Sequence, residues 1–178
     1  MATTDNQIDV HRPLAEHAWH LRKDYNLNRG MSKKKFMAWY DLGEIELSTV
    51  YENLFVATRN ALGKPTAKES ADSYDFVKVF PTQRRILGDM KIGTLQRSND
   101  TYRFQIGNVS NKIGNIYIVA WNWMTDSVCY FAIPPDDFGY HPKAGYKIPV
   151  NPETGERTGG WYNRNCAYDT WEEMVQYG

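Results

Sequence analysis

Residues 71–91, ADSYDFVKVFPTQRRILGDMK, decide the fold of this 178-residue chain. Two short apolar runs in this stretch are separated by a polar turn sequence, which predicts a β-hairpin. Asp75 precedes the first run and Asp89 follows the second, so the hairpin would bring these two carboxylates together. Side chains alternate between the faces of a strand, and Asp89 and Lys91 should therefore point to the same face.

Two carboxylates and an ammonium group at one edge of a sheet are suited to binding Mg²⁺ and a phosphodiester. Carboxylate oxygens are ligands of Mg²⁺, and the bound metal polarises the phosphate and lowers the pKa of a water molecule. The lysine would orient that water or offset negative charge on the phosphate. The alternative interpretation is a surface hairpin that carries an Asp/Lys pair by chance.

The spacing resembles the PD-(D/E)XK nuclease superfamily, with Asp75 as the upstream Asp and residues 89–91 as the (D/E)XK part. Tyr74 stands where the motif has proline. An apolar helix that carries a glutamate precedes the hairpin, and an alternating strand and the apolar run 116–121 follow it. This order resembles the αβββ core of the superfamily and covers about residues 48–134.

The resemblance implies an α+β fold with a restriction-endonuclease-like αβββ core and a mixed central sheet. The superfamily usually has a helix before the last core strand, whereas the segment 107–115 is short for one. The implied function is a Mg²⁺-dependent endonuclease that hydrolyses DNA phosphodiester bonds, of restriction, phage or homing type. Such enzymes usually act as homodimers, because one metal site cuts one strand.

Two further residues join the candidate site. In the resembling superfamily a helix glutamate often contributes to the metal site, a role that would fall to Glu52. Gln105 lies on the polar face of the strand predicted over residues 101–106, and it lies beside the site if that face continues the one that carries Lys91. The predicted catalytic set is Glu52, Asp75, Asp89, Lys91 and Gln105, and the predicted metal ligands are Glu52, Asp75 and Asp89.

The formal net charge of the chain is zero, so affinity for DNA would have to come from local basic clusters. Three lysines at 33–35 open a predicted helix, where they oppose the helix dipole. Contact with phosphates would explain that placement, and a solvated charge run is the alternative. The predicted DNA-binding residues are Lys33, Lys34, Lys35, Arg84, Arg85, Lys143, Lys147, Arg157 and Arg164.

The length predicts a single nuclease domain over residues 1–178. Its predicted parts are an N-terminal helical segment (1–45), a catalytic core (46–134), and a C-terminal ribbon rich in Gly, Pro and aromatic residues with a short helix (135–178). The core helix should be capped by Ser48 and end at Gly63. Its predicted core stripe is Val50, Leu54, Ala57, Ala61 and Leu62.

The ribbon is predicted as a hairpin that joins residues 146–150 to residues 160–163 through the turn sequence at 151–155. Such a hairpin would enter a DNA groove, or it would serve as a surface flap or a dimer arm. Its mixture of basic and aromatic residues suits contact with the DNA backbone and stacking on bases. A helix capped by Asp169 or Thr170 should close the chain.

The two cysteines lie far apart, which argues against a structural zinc site and against a disulfide framework. No signal peptide and no membrane-spanning run is visible, so we expect a cytoplasmic protein without a membrane partner. Two other functions stay open. One is a non-catalytic nucleic-acid-binding module on the same fold, and the other is an unrelated α+β ligand-binding protein whose aromatic C-terminal region lines a pocket.

Overall fold

The computed structural model describes residues 44–178, except for residues 99, 110, 123, 126 and 136–144. The predicted N-terminal helical segment lies outside the described residues apart from its last two positions. The described part is an α+β structure dominated by strands. Its elements are α1 (Glu44–Ala61), β1 (Thr66–Ala71), β2 (Tyr74–Val79), β3 (Arg84–Ser98), β4 (Thr101–Ile106), β5 (Asn115–Asn122), β6 (Ser127–Ile133), β7 (Tyr146–Val150), α2 (Trp161–Asn165), β8 (Ala167–Tyr168) and α3 (Trp171–Val175).

The main sheet is mixed, as predicted, with the strand order β1-β2-β3-β5-β6-β8. Strand β3 runs antiparallel to β2 and parallel to β5, and the other neighbours in this order are antiparallel. Strand β3 is 15 residues long, and its second half leaves β5 to pair with β4, which pairs in turn with β7. The sheet therefore branches at β3.

Helices α1 and α3 cover one face of the main sheet. Phe55 of α1 stacks on Phe76 of β2 at 4.3 Å between ring centroids and contacts Tyr117 of β5 at 4.6 Å. Trp171 of α3 packs into the same cluster. Full burial of one such aromatic side chain contributes about 2–3 kcal/mol, so this cluster holds the helices on the sheet.

The branch formed by β4 and β7 covers the opposite face. Phe104 of β4 and Ile148 of β7 are fully buried and pack in one cluster with Ile118 of β5 and Phe131 of β6. The main sheet is thus covered by helices on one side and by strands on the other. Strand β3 belongs to both strand layers, so it sets the positions of the neighbouring strands β2, β4 and β5 around Asp89.

Helix α1 is longer than predicted and buries a different stripe. It begins at Glu44 rather than after Ser48, and Ala57 and Leu62 of the predicted stripe are exposed. The correction follows from side-chain size, because the aromatic residues at positions 51 and 55 form a larger apolar face. Among the residues of α1 whose burial is described, the buried ones are Tyr51, Leu54, Phe55, Thr58 and Arg59. The predicted end at Gly63, which has a φ of 77°, is confirmed.

The β2–β3 hairpin is confirmed. Its strands pair from Val79 and Arg84 at the turn to Phe76 and Gly88, with a register shift next to Phe76. The turn is closed by a 2.9 Å hydrogen bond from the Phe80 backbone N–H to the Gln83 carbonyl.

The segment between β4 and β5 is a loop rather than the helix that the superfamily usually has there. It contains a single described turn, in which the Lys112 N–H donates to the Val109 carbonyl at 3.1 Å. The Val109 side chain is buried between the two strand layers. The Ile113 N–H donates to the Ser73 carbonyl at 3.0 Å, which fastens the loop to the β1–β2 turn.

The predicted C-terminal ribbon is wrong. Strand β7 pairs with β4 instead of with residues 160–163, most of which belong to α2. The turn at 151–155 is confirmed, because the Asn151 side chain accepts hydrogen bonds from the Glu153 and Thr154 N–H groups. Helix α3 is also confirmed, with Thr170 as its N-cap. Within the described ranges, no helix has the length and apolar character needed to cross a membrane.

A buried arginine fastens the C-terminal segment to α1. The Arg59 side chain donates to the Val175 carbonyl at 2.6 Å, to the Tyr177 carbonyl at 3.2 Å and to the Thr66 hydroxyl at 2.9 Å. Burial lowers the pKa of the Arg59 guanidinium, and these three acceptors stabilise its charge. A cation that is 1% exposed needs such partners.

Candidate active site

The hairpin register brings Asp75 and Asp89 together. Phe76 pairs with Gly88, which places the residues that flank this pair side by side on the two strands. An Asp75 carboxylate oxygen, Oδ2, accepts a hydrogen bond from the Met90 backbone N–H at 3.0 Å. The carboxylate of Asp75 is therefore anchored to the strand segment that carries Asp89.

Asp89 and Lys91 lie on the same face of β3, as their spacing predicts. Met90, between them, packs in the cluster under α1, whereas Asp89 pairs with Ile116, which belongs to the opposite cluster. The Lys91 ammonium nitrogen lies 3.5 Å from Asp89 Oδ2. The site is thus on the strand-covered face of the main sheet.

A second lysine, which sequence reasoning missed, completes the site. The Lys112 ammonium nitrogen lies 3.2 Å from Asp89 Oδ1 and donates to the Asp72 carbonyl at 2.9 Å. Lys112 precedes β5, whose first residue, Asn115, pairs with Gly88. The only signal in the sequence is this position just before a strand, and it becomes informative only once the parallel pairing is known.

Asp89 is 2% exposed, and its pKa is raised to about 6. Burial is the largest cause, followed by the charge of Asp75 and by a hydrogen bond between the two carboxyl groups, while Lys91 and Lys112 act in the opposite direction. That hydrogen bond requires a proton on one carboxyl group. When both carboxyl groups are ionised, no described group donates a hydrogen bond to the buried oxygen Asp89 Oδ2. The Lys91 ammonium lies 3.5 Å from this oxygen, beyond the 3.2 Å that separates Lys112 from Oδ1.

Glu52 is not brought to this site. Its carboxylate pairs with the Lys68 ammonium at 2.9 Å. Lys68 lies opposite Phe76, whose ring stacks on Phe55 under α1, so this ion pair is on the helix-covered face. In the described part of the chain, no group of three or more His, Cys, Asp or Glu side chains is arranged to hold a metal ion. The predicted three-carboxylate metal site is therefore reduced to the Asp75–Asp89 pair.

Gln105 is also turned away from the site, which corrects the prediction. Phe104 pairs with Leu95 on the face that also bears Lys91, and both side chains are buried between the strand layers. Alternation then places Gln105 on the opposite face of β4, where it accepts a 3.3 Å hydrogen bond from Arg103. The error arose because β4 pairs beside β3 with its apolar face, not its polar face, on the side of the sheet that bears Lys91.

The described candidates for DNA contact fall in two parts of the chain. Arg84 and Arg85 are exposed beside the β2–β3 turn, where Arg84 lies 3.5 Å from Glu69 and Arg85 lies over the Phe80 ring at 5.6 Å. Three more are exposed farther along the chain: Lys147 on β7, Arg157 between β7 and α2, and Arg164 on α2. Four of the predicted residues, Lys33, Lys34, Lys35 and Lys143, lie outside the described residues.

A separate polar cleft of about 510 Å³ opens beside the β5–β6 turn. Its described lining includes Asn122, Ser127, Cys129, Arg157 and Asn163. The described lining contains no aromatic side chain, in contrast to the pocket expected for the ligand-binding alternative.

No protein-family model, no curated protein and no solved structure matches the chain. The functional interpretation therefore depends on the geometry around Asp89.

Proposed function

We propose that this chain is a Mg²⁺-dependent endonuclease that hydrolyses DNA phosphodiester bonds, of restriction, phage or homing type, on a restriction-endonuclease-like core. The observation that carries the proposal is the buried carboxylate pair Asp75–Asp89 with the Lys91 ammonium on the same face of the strand. The order of α1, the β2–β3 hairpin, β4 and β5 supports it, because a helix, a hairpin, an alternating strand and an apolar strand are the order expected from the resemblance.

The two aspartates fit a divalent cation. Asp89 Oδ2 is buried without a hydrogen-bond donor among the described residues, and burial, followed by the charge of Asp75, raises the pKa of Asp89. The pKa of Asp89 stays raised although two ammonium groups face it, so the carboxylate pair still favours an additional positive charge such as a metal ion. Asp75 and Asp89 would hold Mg²⁺ through oxygen ligands, and the bound ion would polarise the phosphate and lower the pKa of a water molecule.

Neighbouring groups of the protein orient the two carboxylates and would neutralise charge on the phosphate. The Met90 N–H fixes the orientation of the Asp75 carboxylate, and strand β3 fixes Asp89. Lys91, whose side chain is 21% exposed, faces the same site and would offset negative charge that develops on the phosphate. Asp89 has to be ionised to bind a cation, so this arrangement favours activity above about pH 6.

Further parts of the proposal concern partners. The binding of DNA would rest on the exposed basic residues, above all Arg84 and Arg85 beside the β2–β3 turn, because the whole chain has no net charge. A homodimer would place two single-strand-cutting sites on one duplex. Both cysteines are free and buried, which favours a reducing compartment such as the cytoplasm.

The test is a nicking assay on supercoiled plasmid with Mg²⁺ and with a chelator. We expect Mg²⁺-dependent nicking by the wild type, and a loss of more than about hundredfold in Asp75→Asn and in Asp89→Asn, since each loses a metal ligand. Asp100→Asn is the matched control, because that carboxylate is fully exposed and its nearest described cation, Arg97, is 3.9 Å away.

Three results would redirect the proposal. Metal-dependent nicking that survives unchanged in Asp89→Asn would remove Asp89 from catalysis. DNA binding by the wild type without any nicking would favour the non-catalytic nucleic-acid-binding module. A protein that neither nicks nor binds DNA would favour the unrelated ligand-binding protein, for which the polar cleft beside the β5–β6 turn is a candidate pocket.

A further inference from the structure

Both oxygens of the Asp89 carboxylate face an ammonium group. Lys112 lies 3.2 Å from Oδ1, and Lys91 lies 3.5 Å from Oδ2. With Asp75, the four side chains carry two negative and two positive charges, so the site is formally neutral before any metal binds. A divalent cation that binds Asp89 therefore meets positive charge already in place.

The two lysines are held differently. Lys91 is fixed by its position on β3, two residues after Asp89. Lys112 comes from the loop between β4 and β5, and its ammonium bridges Asp89 Oδ1 and the Asp72 carbonyl. The side chain of Lys112 is 14% exposed, and its flexible four-carbon stem allows the ammonium to leave without moving the backbone. Of the two ammonium groups, Lys112 is the one that can be displaced.

The loop does not depend on Lys112 for its position. The Ile113 N–H donates to the Ser73 carbonyl at 3.0 Å, and the Asn111 side chain donates to the Asp72 carbonyl at 3.2 Å. Val109 is buried between the strand layers. The neighbours of Lys112 therefore fix the loop without its side chain, and its ammonium contacts the Asp89 carboxylate.

We propose that the Lys112 ammonium is a resident counter-ion of the metal site, which a divalent cation must displace from Asp89 before it binds. This inference rests on the proposed metal site at Asp75 and Asp89 and adds a residue that sets the metal affinity of that site. Lys112 stabilises ionised Asp89 when no metal is bound, and like-charge repulsion makes the same ammonium a competitor of the incoming cation.

The experiment measures Mn²⁺ binding to the full chain without DNA at pH 8, by electron paramagnetic resonance and by calorimetry. Lys112→Met keeps the aliphatic stem and removes the charge, so we expect it to bind Mn²⁺ at least about tenfold more tightly than the wild type. Lys112→Arg keeps the charge and should bind Mn²⁺ like the wild type. Lys64→Met, at a position between α1 and β1 to which no functional role is assigned, is the matched control and should change nothing.

The outcomes separate this inference from the proposed function. Equal Mn²⁺ affinity in wild type and Lys112→Met, or weaker binding by the variant, overturns the resident counter-ion and leaves the metal site in place. Absence of Mn²⁺ binding in both proteins overturns the metal site as well. Tighter binding that disappears in the double variant Lys112→Met/Asp89→Asn supports both. Lys112→Gln replaces the methionine variant if the latter fails to fold, as judged by circular dichroism.

Discussion

Replacing Asp89 by asparagine should stabilise the folded protein at neutral and alkaline pH. The neutral amide has the shape of the protonated acid, and it removes a charge that is buried beside Asp75. The ionised carboxylate is disfavoured in the fold, because burial and the charge of Asp75 outweigh the attraction of Lys91 and Lys112. At acid pH, where the wild-type carboxyl group is itself neutral, the two proteins should have similar stability.

The magnitude follows from the pKa. The pKa of Asp89 rises from 3.8 to about 6 on folding, so between these values the folded state holds a proton that the unfolded state has released. The free energy of unfolding of the wild type therefore falls as pH increases from about 4 through about 6, by about 3 kcal/mol in total. Asp89→Asn escapes this loss, and its advantage should be absent near pH 4 and about 3 kcal/mol at pH 8.

The assay is urea denaturation of wild type and Asp89→Asn at several pH values from 4 to 8, without divalent cations. The other carboxyl groups titrate in both proteins, so the difference between the two curves isolates Asp89. Asp100→Asn, at a fully exposed carboxylate, should follow the wild type throughout. A stability difference that is constant with pH, or a variant that is less stable at pH 8, would refute the assignment of a raised pKa to Asp89.

Three further outcomes follow from other parts of the chain. Arg59→Met should destabilise the protein by about 3 kcal/mol, because it removes two buried hydrogen bonds, to the Val175 carbonyl and the Thr66 hydroxyl, and a part-buried one to the Tyr177 carbonyl; urea denaturation gives the value, and a change under 1 kcal/mol would contradict it. Gly88→Ala should disrupt the β3–β5 pairing, because the added Cβ would lie 2.0 Å from the Asn115 carbonyl oxygen; thermal unfolding measures the loss, and an unchanged midpoint would refute the close approach. Alanine at all of residues 33–35 should weaken binding to every DNA sequence alike and flatten the slope of log affinity against log salt by up to about three units; superimposable salt titrations would make these lysines a solvated charge run.

The parts of the fold that depend on local signals could be predicted from the sequence. The β2–β3 hairpin follows from two apolar runs and a turn, and the spacing of Asp89 and Lys91 fixes their common face. Gly63 ends α1, and Thr170 caps α3, for equally local reasons. Each of these features is decided within a few residues, which is the range over which a single sequence is informative.

The remaining errors concern contacts between distant segments. Lys112 reaches Asp89 only because β5 pairs in parallel with β3, a pairing that no local pattern encodes. Gln105 was misplaced because the apolar face of β4, which bears Phe104, is the one that continues the Lys91 face of β3. The helix that carries Glu52 was predicted, but it packs on the face of the sheet opposite the candidate site, where Glu52 pairs with Lys68. The candidate site was therefore half predictable, since the carboxylate pair is local and its electrostatic surroundings are not.

The parallel pairing of β3 with β5 has a kinetic consequence. The β2–β3 and β3–β4 hairpins close through short turns, so we expect them to form early, and we expect β5 to dock later because its pairing must also close the intervening hairpin and loop. Burial of Asp89 against β5, with Lys112 arriving on the same segment, then belongs to a late step of folding. If the rate-limiting barrier precedes that step, ionisation of Asp89 accelerates unfolding and leaves the folding rate unchanged. The unfolding rate, which sets the lifetime of the folded chain, would then depend on pH more strongly than the folding rate does.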